Sequence, residues 1–165
     1  MSSSIMDALT PKIRRFLLDL ARSAIEKELT GATALSVSIE DAPPALHEDG
    51  ASFVTLHKRS GALRGCIGSL VARRPLIDDV QANAKAAAFQ DPRFPPLREE
   101  ELGDIVIEVS ILSAPEPLAY GGPEELIEKL RPNVDGVVLE RGWNRATFLP
   151  QVWEQLPEPE KFLAH

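Results

Sequence analysis

The chain predicts an α+β fold with a mainly antiparallel sheet, and three observations carry this. Apolar residues recur at three- and four-residue steps over 13–25 and 76–88, but alternate over 52–57 and 63–67. The alternating runs come as pairs joined by turn residues, which closes hairpins rather than parallel crossovers. The glycine pattern of a dinucleotide or P-loop site is absent.

Each element follows from its residues. Residues 1–9 read as a frayed start. Thr10-Pro11 is a helix entry, a hydroxyl cap followed by proline at the first helical position. Ile13, Phe16, Leu17, Leu20, Ala21, Ala24 and Ile25 give that helix one apolar face, and Gly31 supplies its stop. Residues 34–39 suit a short strand, before a loop marked by Pro43-Pro44 and Asp49-Gly50. Ser52 to His57 and Leu63 to Ile67 form a hairpin around Ser60-Gly61. A two-residue loop sets His57 opposite Arg64, and a four-residue loop sets Thr55 there. Either register puts Val54, Leu56, Leu63 and Ile67 on the core face, and Thr55, His57, Arg64 and Cys66 on the other.

Pro75 opens a helix with a buried stripe of Leu76, Ile77, Val80, Ala84, Ala87 and Ala88, ended by Asp91-Pro92. Three prolines between Asp91 and Leu97 make a stiff loop, for which Phe94 is the expected buried anchor. Glu99 to Leu102 add a helical turn. Ile105 to Leu112 is a strand with Ile105, Ile107, Val109 and Ile111 on one face, while Glu108 and Ser110 interrupt the other. A short helix runs from Pro123 through Leu130, acidic at its start and basic at its end. A second hairpin spans 136–141 and 145–149 around Gly142-Trp143-Asn144, and Pro150 starts a helical turn. Trp143, Trp153 and Phe148 are expected in the core or between lobes.

Length and charge narrow the function. One hundred and sixty-five residues fit one domain over 1–165, or two lobes sharing a core at about 10–115 and 116–165. A hydrophobic content of 44% excludes bulk disorder. Eighteen basic against 25 acidic residues leave a net charge of −7, and the longest basic runs are Arg14-Arg15 and Arg73-Arg74. Such a balance repels phosphate backbones, so no nucleic-acid partner is expected. No apolar stretch nears eighteen residues, and the first thirty carry no signal-peptide core. A cytoplasmic protein without a membrane segment is the expectation. Histidines at 47, 57 and 165 and one cysteine show no ligand spacing, so no metal or other cofactor is expected.

Chemistry concentrates in Leu63-Arg64-Gly65-Cys66-Ile67-Gly68. Gly65 and Gly68 weaken a strand and suit a bulge or the close approach of another backbone. Arg64 and Cys66, two apart, share a face, where a guanidinium favours the thiolate that acts as nucleophile or metal ligand. The packing alternative makes Cys66 a small buried hydrophobe and Arg64 an ion-pair partner. His57, on the same face, is a candidate base, or else a plainly exposed residue at the hairpin end. Glu108 interrupts an Ile and Val strand, where a charge is costly unless paired. Arg64 is its expected partner and Arg93 the second choice. Arg93 itself is expected to meet Glu108 or Asp91.

In one order the chain carries Phe53-Val54-Thr55-Leu56, then Leu63 to Gly68, then Asn83-Ala84 through Ala87-Ala88-Phe89 and Asp91-Pro92-Arg93-Phe94. Glu108 to Leu112 and Phe148-Leu149-Pro150-Gln151-Val152-Trp153 follow. This resembles the AMMECR domain family from about residue 10 to 164, and its LRGCIG stretch is highly specific. The resemblance implies a barrel-like antiparallel sheet flanked by helices and built from two related β/α halves. It also implies a place in the AmmeMemoRadiSam system, with a Memo-like protein and a radical-SAM enzyme as partners. Relatives carry a further Lys-Ala-Gly-Leu segment and a tryptophan, so an ending trimmed after His165 is expected. The resemblance implies no particular reaction.

Two functions follow. The first is a small-ligand or catalytic site around the hairpin. Its catalytic residues are Cys66, Glu108 and His57, and its ligand contacts are Arg64, Gly65, Gly68 and Arg93. The second is a non-catalytic module that docks a Memo-like or radical-SAM partner through an apolar patch with aromatic anchors.

Overall fold

Thr10 and Gly31 bracket the first helix, α1 (Pro11–Thr30), as their chemistry dictates. The Ile13 N–H donates to the Thr10 hydroxyl at 3.3 Å, and Gly31, at φ +73°, donates its N–H to the Lys27 carbonyl. The structure, a computed structural model, describes residues 5–32 and 37–164. Half of the expected strand at 34–39, residues 34–36, therefore lies outside the described residues. Its last residue, Ile39, opens a 3-10 turn instead (Ile39–Asp41).

The chain divides into two units, Met1–Pro115 and Glu116–His165. In the first, β1 (Ala51–Lys58), β2 (Leu63–Gly68) and β3 (Ile105–Leu112) form an antiparallel sheet in the order β2-β1-β3. Helix α2 (Leu76–Phe89) and a 3-10 turn (Glu99–Asp104) lie between β2 and β3 in the chain. One sheet face packs on the helices. Val54 and Leu56 of β1 are fully buried with Leu17, Leu20, Ala21 and Ile25 of α1 and with the stripe of α2. This sheet is open and three-stranded. The barrel-like expectation is corrected to an α+β arrangement of antiparallel sheets without closure.

A buried polar cluster, not foreseen in the sequence, ties the core face together. Asp79 of α2 accepts hydrogen bonds from Ser52 N (2.8 Å) and Oγ (2.7 Å), Ser69 Oγ (2.7 Å), Arg74 Nε (2.8 Å) and Asn83 Nδ2 (3.0 Å). Five donors to one buried carboxylate satisfy it fully, so α2 is fixed to the start of β1 and the end of β2.

The second unit holds α3 (Pro123–Lys129), the hairpin β4 (Val137–Arg141) and β5 (Asn144–Phe148), a 3-10 turn (Pro150–Glu154) and α4 (Pro159–Ala164). Its core gathers Leu126, Leu130, Trp153 and Phe162. Trp153 and Phe162 stack with centroids 3.8 Å apart, and the indole N–H donates to the Asp135 carbonyl at 2.7 Å. Trp143 departs from expectation: it stands fully exposed in the β4–β5 turn beside Gly142.

Candidate functional site

The β1–β2 hairpin carries the site, and a bulge sets its geometry. Thr55 pairs with Cys66 and Leu56 with Gly65, but His57 pairs with Leu63. Arg64 is therefore the extra residue: the register of the two-residue loop holds from Phe53 to Leu56 and breaks at His57, which pairs with Leu63 rather than Arg64. The bulge reverses parity at its far end. Leu63, expected in the core, shares the His57 side and is exposed. Gly65 faces α2, since a Cβ there would collide with the Ala87 carbonyl. Cys66, one residue on, points to the opposite face together with its cross-strand neighbours Thr55 and Glu108.

Three of the expected site residues share this face. The Cys66 thiol lies 3.2 Å from the Thr55 hydroxyl and is partly exposed. Glu108 sits across from Thr55 on the other side. His57, two residues along β1, brings its Nε2 to 4.0 Å from the Glu108 carboxylate. A thiol, an imidazole and a carboxylate thus share one sheet face, in the residue types of a nucleophile, its base and an orienting group.

The cation beside the thiol is Arg93 rather than Arg64. Asp91 accepts the Cys66 backbone N–H at 2.9 Å and is clamped by Arg93 through Nε (3.0 Å), Nη2 (2.7 Å) and the Arg93 amide (3.0 Å). The Arg93 side-chain hydrogen bond holds the buried Asp91 carboxyl far below the usual carboxylate range, against the opposing effect of its burial. Asp91 in turn raises the proton affinity of Arg93, and the charge of a Cys66 thiolate adds to it. The Arg93 guanidinium is 55% exposed and faces solvent as well as Asp91.

Arg64 goes elsewhere. Its side chain is 4% exposed and donates from Nε to Glu101 Oε1 (2.9 Å), and from Nη2 to Glu101 Oε2 (3.1 Å) and the Pro95 carbonyl (2.9 Å). That geometry holds the Glu101 carboxyl down to about 2, its Arg64 hydrogen bond outweighing burial. The expected Arg64–Glu108 pair is corrected on topological grounds: β1 lies between β2 and β3, so the two are not cross-strand neighbours. Packing accounts for both glycines. Gly65 admits the α2 backbone, and Gly68 lies under the Phe53 ring. Phe94 is only half-buried, and the anchor of the proline loop is Leu97, 3% exposed, whose N–H donates to Ala88.

Of the two carboxylates expected for Arg93, Asp91 is its partner and Glu108 is not. Glu101 is the site residue not foreseen in the sequence, where it is one acid in an acidic turn. Among the described residues no three His, Cys, Asp or Glu side chains gather in a group able to hold a metal ion. Among the described residues, too, no helix is long and apolar enough to cross a membrane.

Comparison with known proteins adds the lineage. The AMMECR1 family model matches residues 18–165. A protein of Methanothermobacter thermautotrophicus is 46% identical over 138 residues, covering 84% of this chain and 71% of its own. One from Thermofilum pendens is 39% identical over 170 residues, covering 97% and 79%. The crystal structure of the uncharacterised protein PH0010 from Pyrococcus horikoshii has a TM-score of 0.81 at 40% identity, over 94% of this chain and 78% of that one.

Proposed function

The chain belongs to the AMMECR1 family, and on that premise we propose that it serves the AmmeMemoRadiSam system in the cytoplasm through a small-ligand or catalytic site on the LRGCIG hairpin. One observation carries the reading: Cys66, His57 and Glu108 occupy one sheet face, with Arg93 beside the thiol. Cys66 is the nucleophile or ligand contact, His57 the base and Glu108 its orienting carboxylate. Arg93, largely exposed, receives an anionic group of the ligand. The two related halves belong to the same reading, since hairpin, proline and helical turn recur as β1-β2-Pro75-α2 and β4-β5-Pro150 with its 3-10 turn.

The fully exposed Trp143 favours a second reading, a docking module with that indole as its anchor. A pull-down with a purified Memo-like protein and a purified radical-SAM enzyme separates the two. The site reading expects capture of a partner that survives both Cys66→Ser and Trp143→Ala. Capture lost in Trp143→Ala alone supports the docking module, and no capture by the wild type removes the system from the reading.

A further inference from the structure

We propose that the depression at the turn end of the β1–β2 hairpin binds a small anion, a carboxylate or phosphate carried on a flat apolar body. The inference rests on the hairpin being a ligand site, yet it involves no thiol. Its starting point is an unused donor. Arg64 spends Nε and Nη2 on Glu101 and Pro95, while its Nη1 is buried with no acceptor. A buried charged donor left without a partner is unfavourable, and an oxygen acceptor is what relieves it.

The surroundings match such a ligand. The depression has a volume of about 530 Å³ and its lining includes Lys58, Leu63, Arg64, Phe94, Arg98 and Glu101. That is the size of a small-molecule site. Three cations face one carboxylate there, in a chain whose net charge is −7. Arg98 also comes to 3.9 Å from Glu100, but in a fully solvated pair that leaves it free to turn. The apolar wall is flat. Phe94 is half-buried, with Arg64 Cζ 5.7 Å and Arg93 Cζ 5.6 Å from its ring centroid, and exposed Leu63 lies beside it in the lining. An anionic group meets the guanidinium while the body of the ligand lies on Phe94 and Leu63.

Phenyl phosphate and benzoate, titrated calorimetrically into the whole chain, test this, with benzamide as the uncharged match. At least one anion is expected to bind saturably at one site, and benzamide to give no heat. Added salt and the double variant Lys58→Ala/Arg98→Ala should each weaken binding, the variant by about ten-fold or more. Arg64→Lys tests the unused donor directly. If that variant does not fold, Phe94→Leu and the double variant still decide the matter, because their side chains carry little of the core. Absent anion binding, equal binding of benzamide, or affinity unchanged in the variants overturns the proposal. Cys66→Ser should leave anion binding intact. A reactive thiol without anion binding thus overturns this inference alone, whereas anion binding beside an inert thiol overturns only the role given to Cys66.

Discussion

The Arg64 guanidinium meets Glu101 through two parallel hydrogen bonds, Nε to Oε1 at 2.9 Å and Nη2 to Oε2 at 3.1 Å. This pair fixes the bulged end of the hairpin to the turn that precedes β3. Replacing the carboxylate by an amide removes the negative charge and one of the two acceptor oxygens that meet the buried guanidinium. Glu101→Gln should therefore lower stability by about 3 kcal/mol, the low end for a buried pair because Glu101 is 24% exposed. Urea unfolding measures it, and a loss below about 1 kcal/mol would make the pair an ordinary surface contact.

The same pair gives the acid response its sign. Glu101 titrates at about 2 when folded, against 4.5 for an ordinary glutamate, because Arg64 hydrogen-bonds its charged form. A depressed folded value means the stabilisation is complete above about 4.5 and is lost as pH falls toward about 2. Asp91 shifts in the same direction and adds to the loss. Urea midpoints should be level from neutrality down to about pH 5 and then fall, and the fall should be shallower in Glu101→Gln. Parallel curves for the two proteins would contradict the assignment.

Gly65 lies against the carbonyl of Ala87, which no side chain on β2 can share. Gly65→Ala should push the strand from α2 and cost about 1–3 kcal/mol or more. Gly103, with nothing within 4 Å of an added Cβ, is the control, and its alanine variant should stay within about 0.5 kcal/mol. Thermal unfolding of both variants checks the contrast.

In the proline loop the burial of Leu97, not Phe94, sets the energetic order. Leu97→Ala should cost about 2–5 kcal/mol, and Phe94→Ala distinctly less. Equal losses in denaturant would return Phe94 to the core and remove it from the ligand wall.

Much of the fold was legible in the chain because local rules and packing agree there. Thr10, Pro11 and Gly31 bracket α1, and the alternation of Ile105, Ile107, Val109 and Ile111 gives β3 and its core face. Gly65 hints at the bulge beside it, but the burial of Arg64 was not legible, since it depends on Glu101 and Pro95, more than thirty residues away. Asp79 and Asn83 sit in a helical stripe as polar residues, and only the serines at both ends of the hairpin make them core. Cys66, His57 and Glu108 were placed on one face correctly because the parity of β1 and β3 survives the bulge. The cation expected beside them, Arg64, is the bulge residue, and its side chain is buried against Glu101 and Pro95 instead.

The account turns on whether Cys66 is a working thiol on an accessible face, and its alkylation rate tests that most directly. Iodoacetamide near neutral pH should modify Cys66 in the folded protein faster than in the urea-unfolded chain, because the proposed site gives a partly exposed thiol His57 as its base. His57→Gln should bring the folded rate back toward that of the unfolded chain. A folded protein that reacts more slowly than the unfolded chain, with a rate untouched by His57→Gln, would make Cys66 a packing residue and contradict the site.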